Sequence, residues 1–133
     1  MEKEYKISVI GMGYVGLPLA IAFSKFYNVV GFDIKKKRIE NLKNNIDCNF
    51  DVEIQNNSNL KFTSVINDIK ESNIYIVTVP TPVTKENLPD LTLLKSATKM
   101  LSTYINKGDI VIYESTVYPG VTEDVCVPII EEI

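Results

Sequence analysis

Residues 8–20 read SVIGMGYVGLPLA, and this stretch narrows the choice of fold more than any other. Gly11, Gly13 and Gly16 fall at spacings of two and three. A β-branched run precedes them and an apolar, helix-like segment at about 15–26 follows. A chain passes from strand to helix through so bare a backbone when the turn must be tight and something must approach it closely. Three glycines alone make only a turn, so the flanking pattern decides what they are for.

That pattern alternates. Residues 6–10 form a short strand, and residues 28–32 (NVVGF) form a second that ends at Asp33. Residues 35–44 (KKKRIENLKN) are charged, with Ile39 and Leu42 on one face, which suits an exposed helix. Residues 46–59 read as loop with room for one helical turn, 60–63 as a third strand, and 65–72 (VINDIKES) as helix-like. The apolar run 73–79 (NIYIVTV) is a strand buried on both faces, with Thr78 its polar exception. Three prolines make residues 80–90 a loop. Asp90 or Thr92 then caps a helix whose buried stripe is Leu93, Leu94, Ala97, Leu101 and Ile105. Residues 106–109 turn into the strand 110–113, and Pro119-Gly120 opens a last helix.

Strands alternating with helices predict an α/β fold built on a doubly wound parallel sheet in the order 3-2-1-4-5. At 133 residues the chain suits a single domain. Ligands of such sheets bind at the carboxyl ends of the strands where strand order reverses, here between the first strand and NIYIVTV.

A helix N-terminus offers unpaired N–H groups and the positive end of a dipole, so the glycine turn suits a phosphate. Gly11 permits the turn out of the strand, Gly13 lets a pyrophosphate approach, and Gly16 lets the helix pack on the sheet. Asp33 lies 22 residues after Gly11. A carboxylate there can accept hydrogen bonds from both adenosine ribose hydroxyls and would repel a 2′-phosphate, which favours NAD over NADP. Arg38 softens that preference, and it reads equally as a solvated helix face or as a contact to adenine or ribose.

The chain has no histidine, so proton transfer would fall to a carboxylate, Lys, Tyr, Cys or an oriented water. Its two cysteines, Cys48 and Cys126, form neither a disulfide framework nor a metal motif, and no metal is expected. Free thiols without an export signal point to the cytoplasm. A net charge of -3 gives no general attraction to nucleic acid or anionic lipid, and no apolar run is long enough to span a membrane. Ser115 and Thr116 end a strand at the same edge as the glycine turn, where hydroxyls can orient a water or cap the helix before Pro119. Thr81 stands rigidly between prolines or is plain loop. Glu114, within the strand segment, reads as structural.

GMGYVGLPLA, GFDIKKKRIENL, IVTVPTP, PDLTLL and GDIVIYESTVYPGVTE together resemble the N-terminal domain of UDP-glucose/GDP-mannose dehydrogenases. They are most similar to the branch acting on UDP-N-acetylhexosamines for surface polysaccharides. The resemblance implies a Rossmann-type NAD-binding domain over residues 1–133 of a nucleotide-sugar 6-dehydrogenase. Such enzymes oxidise the sugar C6 hydroxymethyl to the uronate in two NAD-dependent steps. It further implies that Gly11, Met12, Gly13, Tyr14, Val15 and Gly16 cradle the pyrophosphate, and that Asp33 and Arg38 hold the adenosine ribose. Val79, Pro80, Thr81 and Pro82 would line the crevice. Ser115 and Thr116 would sit near the nicotinamide, with Thr116 catalytic through a hydrogen bond to a water. Family members add a central helix, through which they form homodimers, and a C-terminal UDP-binding domain that completes the nucleotide-sugar site. The catalytic cysteine of the family matches neither Cys48 nor Cys126. The chain therefore reads as a piece of a longer enzyme, inactive by itself. The alternative is a stand-alone NAD-binding regulatory module.

Overall fold

The computed structural model describes residues 4–13, 15–43, 59–80, 82–86, 88, 90–114 and 127–131. Strands β1 (Lys6–Ile10), β2 (Asn28–Phe32), β3 (Leu60–Thr63), β4 (Ile74–Val77) and β5 (Ile110–Tyr113) form one parallel sheet. Its order is β3-β2-β1-β4-β5, the doubly wound order expected. Ile10 pairs with Phe32 on one side and Val77 on the other, so these three strands end level at their carboxyl edge. Helices α1 (Gly16–Ser24), α2 (Lys36–Lys43), α3 (Thr92–Ser102) and α4 (Val127–Glu131) are joined by a 3₁₀ turn at Ile66–Ile69.

Period-two alternation divides the strands between two cores. Ile7, Val9, Val29 and Ile76 point to the face where Leu17 and Ala20 of α1 and Ile39 and Leu42 of α2 close over them. Ile10, Phe32, Tyr75 and Val77 point to the other face, against Leu94, Ala97 and Leu101 of α3 and Ile69 of the 3₁₀ turn. Both sides of the central strands are therefore dry, which is why β4 reads as continuous apolar sequence. Helices α1 and α2 sit over the β1–β3 half. On that same face β5 leaves Ile110 48% and Ile112 38% exposed, while Val111 and Tyr113 pack on the opposite core.

Several buried polar groups are paired. The Ser8 and Ser72 hydroxyls bond to each other, and the Tyr75 hydroxyl donates toward the carbonyls of Ser72 at 3.1 Å and Ile69 at 3.3 Å. Burial, helped by the nearby Asp109 charge, pushes the Tyr75 phenol up to about 12. At the start of α3 the Thr92 N–H donates to Asp90 Oδ1 at 2.9 Å. The Thr92 side chain and this backbone bond hold the Asp90 carboxyl below its usual range.

Three readings of the sequence change. The helix expected over 65–72 is only the 3₁₀ turn at Ile66–Ile69. Thr63 Oγ1 accepts the Val65 N–H and donates to the Asp68 carboxylate, and such local side-chain bonds displace helical ones. Leu93, assigned to the buried stripe, is 43% exposed, because it precedes the buried positions Leu94, Ala97, Thr98 and Leu101 by one step around the helix. Ile105, assigned to the same stripe, lies beyond the end of α3, where it is half-buried against the core. Cys48, Cys126 and the residues expected to open the last helix lie outside the described residues.

Candidate functional site

The turn between β1 and α1 is built of three glycines with separate tasks. Gly11 has φ +104°, which L side chains avoid, and a Cβ there would stand 3.2 Å from the Thr78 backbone. Its N–H donates to the Phe32 carbonyl at 2.7 Å, which ties the turn to the end of β2. A Cβ at Gly16 would stand 1.7 Å from the Gly11 carbonyl oxygen and 2.5 Å from Thr78 Oγ1. Gly16 is therefore the contact that lets α1 lie directly on the turn. At Gly13 a Cβ would meet nothing within 4 Å. The bareness of Gly13 keeps space open rather than relieving a clash inside the protein.

Met12, between the first two glycines, is held at three points. Its N–H donates to Asp33 Oδ2 at 2.9 Å, and its carbonyl accepts from Arg38 Nε at 2.8 Å. Its side chain is buried against β2, where Gly31 makes room for it: a Cβ at Gly31 would stand 2.7 Å from Met12 Sδ. Asp33 is fixed in turn, since its Oδ1 accepts the Lys35 N–H at 2.9 Å. An ionised carboxylate has about four acceptor sites. Two backbone N–H groups therefore leave each oxygen of Asp33 able to accept one hydroxyl more.

A cleft of about 260 Å³ opens at this edge. Gly11, Met12, Gly13, Asp33, Arg38, Val79 and Pro80 line it together with Ile34, Lys35, Leu93, Ser96 and Met100. The walls differ in chemistry. The glycine turn offers the Gly13 N–H beside the start of a helix, Asp33 offers a carboxylate, and Ile34, Leu93 and Met100 offer an apolar face. An anion, a pair of hydroxyls and a flat apolar ring can thus be met side by side. The volume lies just below the roughly 300–1,000 Å³ of pockets for whole small ligands, so it suits one end of a longer molecule. No group of acidic or thiol side chains that could hold a metal ion occurs among the described residues.

Seven of the residues singled out in the sequence meet in the cleft: Gly11, Met12, Gly13, Asp33, Arg38, Val79 and Pro80. Gly16 does not line it and packs against Gly11 and Thr78 instead. Val15 is 48% exposed outside its lining, and Pro82 is exposed, with its carbonyl accepting the Asp90 N–H at 2.7 Å. Glu114 follows β5, exposed, and its N–H continues the ladder to Val77 at 2.9 Å. Tyr14, Thr81, Ser115 and Thr116 lie outside the described residues. Sequence reasoning missed Ile34, Leu93 and Met100. Ile34 carried a signal, as an apolar residue set between an acid and four basic residues. Leu93 carried another, as one leucine more than the buried stripe of α3 needs.

Residues 5–133 match the family profile described as UDP-glucose/GDP-mannose dehydrogenase family, NAD binding domain. The UDP-N-acetyl-D-glucosamine 6-dehydrogenase of Salmonella typhi is 56% identical over 130 residues, covering 96% of this chain and 31% of that protein. The enzyme of the same name from Pseudomonas aeruginosa is 50% identical over 133 residues, covering 98% and 32%. Among solved structures, the UDP-D-ManNAc dehydrogenase of Pyrococcus horikoshii superposes with a TM-score of 0.88 at 35% identity, over 96% of this chain and 32% of that one. The chain thus spans about a third of the length of the curated relatives it matches.

Proposed function

Because the chain belongs to the UDP-glucose/GDP-mannose dehydrogenase family, whose NAD-binding domain it matches, we propose that it is the cofactor-binding part of a nucleotide-sugar 6-dehydrogenase. The whole enzyme would oxidise C6 of a UDP-N-acetylhexosamine to the uronate in two NAD-dependent steps. The names of the Salmonella typhi and Pseudomonas aeruginosa relatives favour the N-acetylglucosamine form of that substrate. The substrate site and the nucleophile would belong to further residues of a longer protein that works as a homodimer in the cytoplasm. Among the described residues no helix is long and apolar enough to cross a membrane.

The residues present fit NAD. Open space at Gly13 suits the diphosphate, the remaining acceptor sites of Asp33 suit the two hydroxyls of the adenosine ribose, and the apolar wall suits adenine. The bound nicotinamide would supply the hydride acceptor. The chain's own part is to bind and orient. The turn would fix the diphosphate, the charge of Asp33 would disfavour a ribose 2′-phosphate, and Val79 and Pro80 would form the floor between β1 and β4. Ser115 and Thr116 are assigned to the nicotinamide end on the family resemblance, with Thr116 holding a water there.

The observation that carries this reading is the placement of Asp33 on the same backbone unit as the glycine turn, 2.9 Å from the Met12 nitrogen. Calorimetric titration with NAD tests it. Saturable binding below millimolar, with NADP weaker, is the expected result, and no heat at millimolar NAD would overturn it. The chain by itself is expected to oxidise no UDP-sugar.

A further inference from the structure

We infer that Arg38 is a positioning residue of the glycine turn: by holding the carbonyl of Met12, it aims the N–H of Gly13 into the cleft. In a trans peptide unit the C=O and the following N–H lie in one plane and point in opposite directions. Whatever fixes one end fixes the other, and there is no cis peptide bond among the described residues.

Two successive peptide units make up the turn. The Gly11–Met12 unit is held at both ends, its carbonyl by the Thr78 hydroxyl at 2.8 Å and its N–H by Asp33 at 2.9 Å. The Met12–Gly13 unit is held at its carbonyl by Arg38 Nε at 2.8 Å. Its other end, the Gly13 N–H, meets no protein acceptor among the described residues, and the space beside Gly13 is open. Arg38 reaches the turn from α2, 26 positions further along the chain. With Met12 buried and the unit before it locked, the pull of Arg38 on one carbonyl leaves the Gly13 amide a single direction.

The inference rests on the reading above, in which the group that Gly13 meets is a diphosphate. It assigns Arg38 a task through the backbone, separate from any contact of its charge with the ligand. The two can be told apart because lysine keeps the charge but places a methylene where Nε stands.

The test uses ADP and adenosine as probes, with Arg38→Met and Arg38→Lys. Both variants are expected to weaken ADP about tenfold, the effect of losing one charge-assisted hydrogen bond, and to change adenosine less than about twofold. In the ligand-free chain, amide exchange measured by NMR should quicken at Met12, whose N–H is bonded to Asp33, in both variants and stay unchanged in β1 and β4. Full recovery of ADP affinity with lysine would overturn the inference in favour of charge. An equal loss for adenosine would overturn it in favour of a direct ribose contact. Unchanged exchange at Met12 would overturn it outright. Failure of the unaltered chain to bind ADP or NAD would sink the functional reading instead, and the exchange measurement would still decide the role of Arg38.

Discussion

The Thr78 hydroxyl lies 2.8 Å from the carbonyl of Gly11, a residue 67 positions earlier in the chain. It also stands 3.0 Å from the Ile10 carbonyl, and with one proton it donates fully to one of them. The same oxygen occupies the space that a Cβ at Gly16 would need. One buried hydroxyl thus joins β4, the glycine turn and the first helix. Thr78→Val keeps the shape and removes the donor, and is expected to cost about 1–3 kcal/mol of stability. Thr78→Ser should keep most of it. Chemical denaturation of the two variants checks this, and a valine variant as stable as the parent would refute it.

Gly13 and Gly16 should fail in opposite ways. Gly16→Ala forces a methyl into the Gly11 carbonyl and should lose about 3 kcal/mol or more. Gly13→Ala meets no protein atom and should leave stability within about 1 kcal/mol. That methyl would project into the space assigned to the diphosphate, so NAD affinity should fall at least about tenfold. Thermal unfolding and titration of both variants give the comparison.

Asp33→Ala would leave the Met12 and Lys35 N–H groups without their acceptor. Stability should drop by about 1–3 kcal/mol and NAD affinity by about tenfold or more. The gain for NADP should stay small, because the substitution also loosens the turn. NAD affinity equal to that of the parent would place the ribose elsewhere.

Tyr75 makes stability fall in alkali. Its folded pKa is raised to about 12 from 10.0, so the folded state keeps a proton that the unfolded chain gives up. The contribution is complete below pH 10 and is lost as pH rises toward 12. Tyr75→Phe should flatten this limb and cost about 1 kcal/mol at neutral pH through the lost hydrogen bond. Denaturation midpoints measured across this range would reveal it, and identical slopes for the two proteins would contradict it.

The sheet order, the turn at Gly11 and the close packing at Gly16 are legible because they follow from local pattern. Runs such as KISVI and NIYIVTV can be buried on two faces only in the middle of a parallel sheet. The place of Asp33 beside the turn follows from its distance to Gly11, which the β1–α1–β2 geometry fixes. The three-point hold on Met12 could not be read, since it joins the turn after β1 to β2, Asp33 and α2 through side-chain directions that spacing does not specify. Leu93 was misread for a related reason. Periodicity locates a helix stripe to within one residue, and here that residue decides between core and cleft. The segment 65–72 has helical spacing, yet Thr63 and Asp68 bond locally and shorten it.

The two outer strands of the sheet are not alike. β3 carries the exposed Lys61, whereas β5 presents Ile110 and Ile112 to solvent. Among the described residues no strand pairs with its outer side. An apolar border left open promotes pairing between molecules. At the concentrations that calorimetry and NMR require, aggregation should begin there, and lysine at position 112 is the natural gatekeeper to introduce when preparing the chain in isolation.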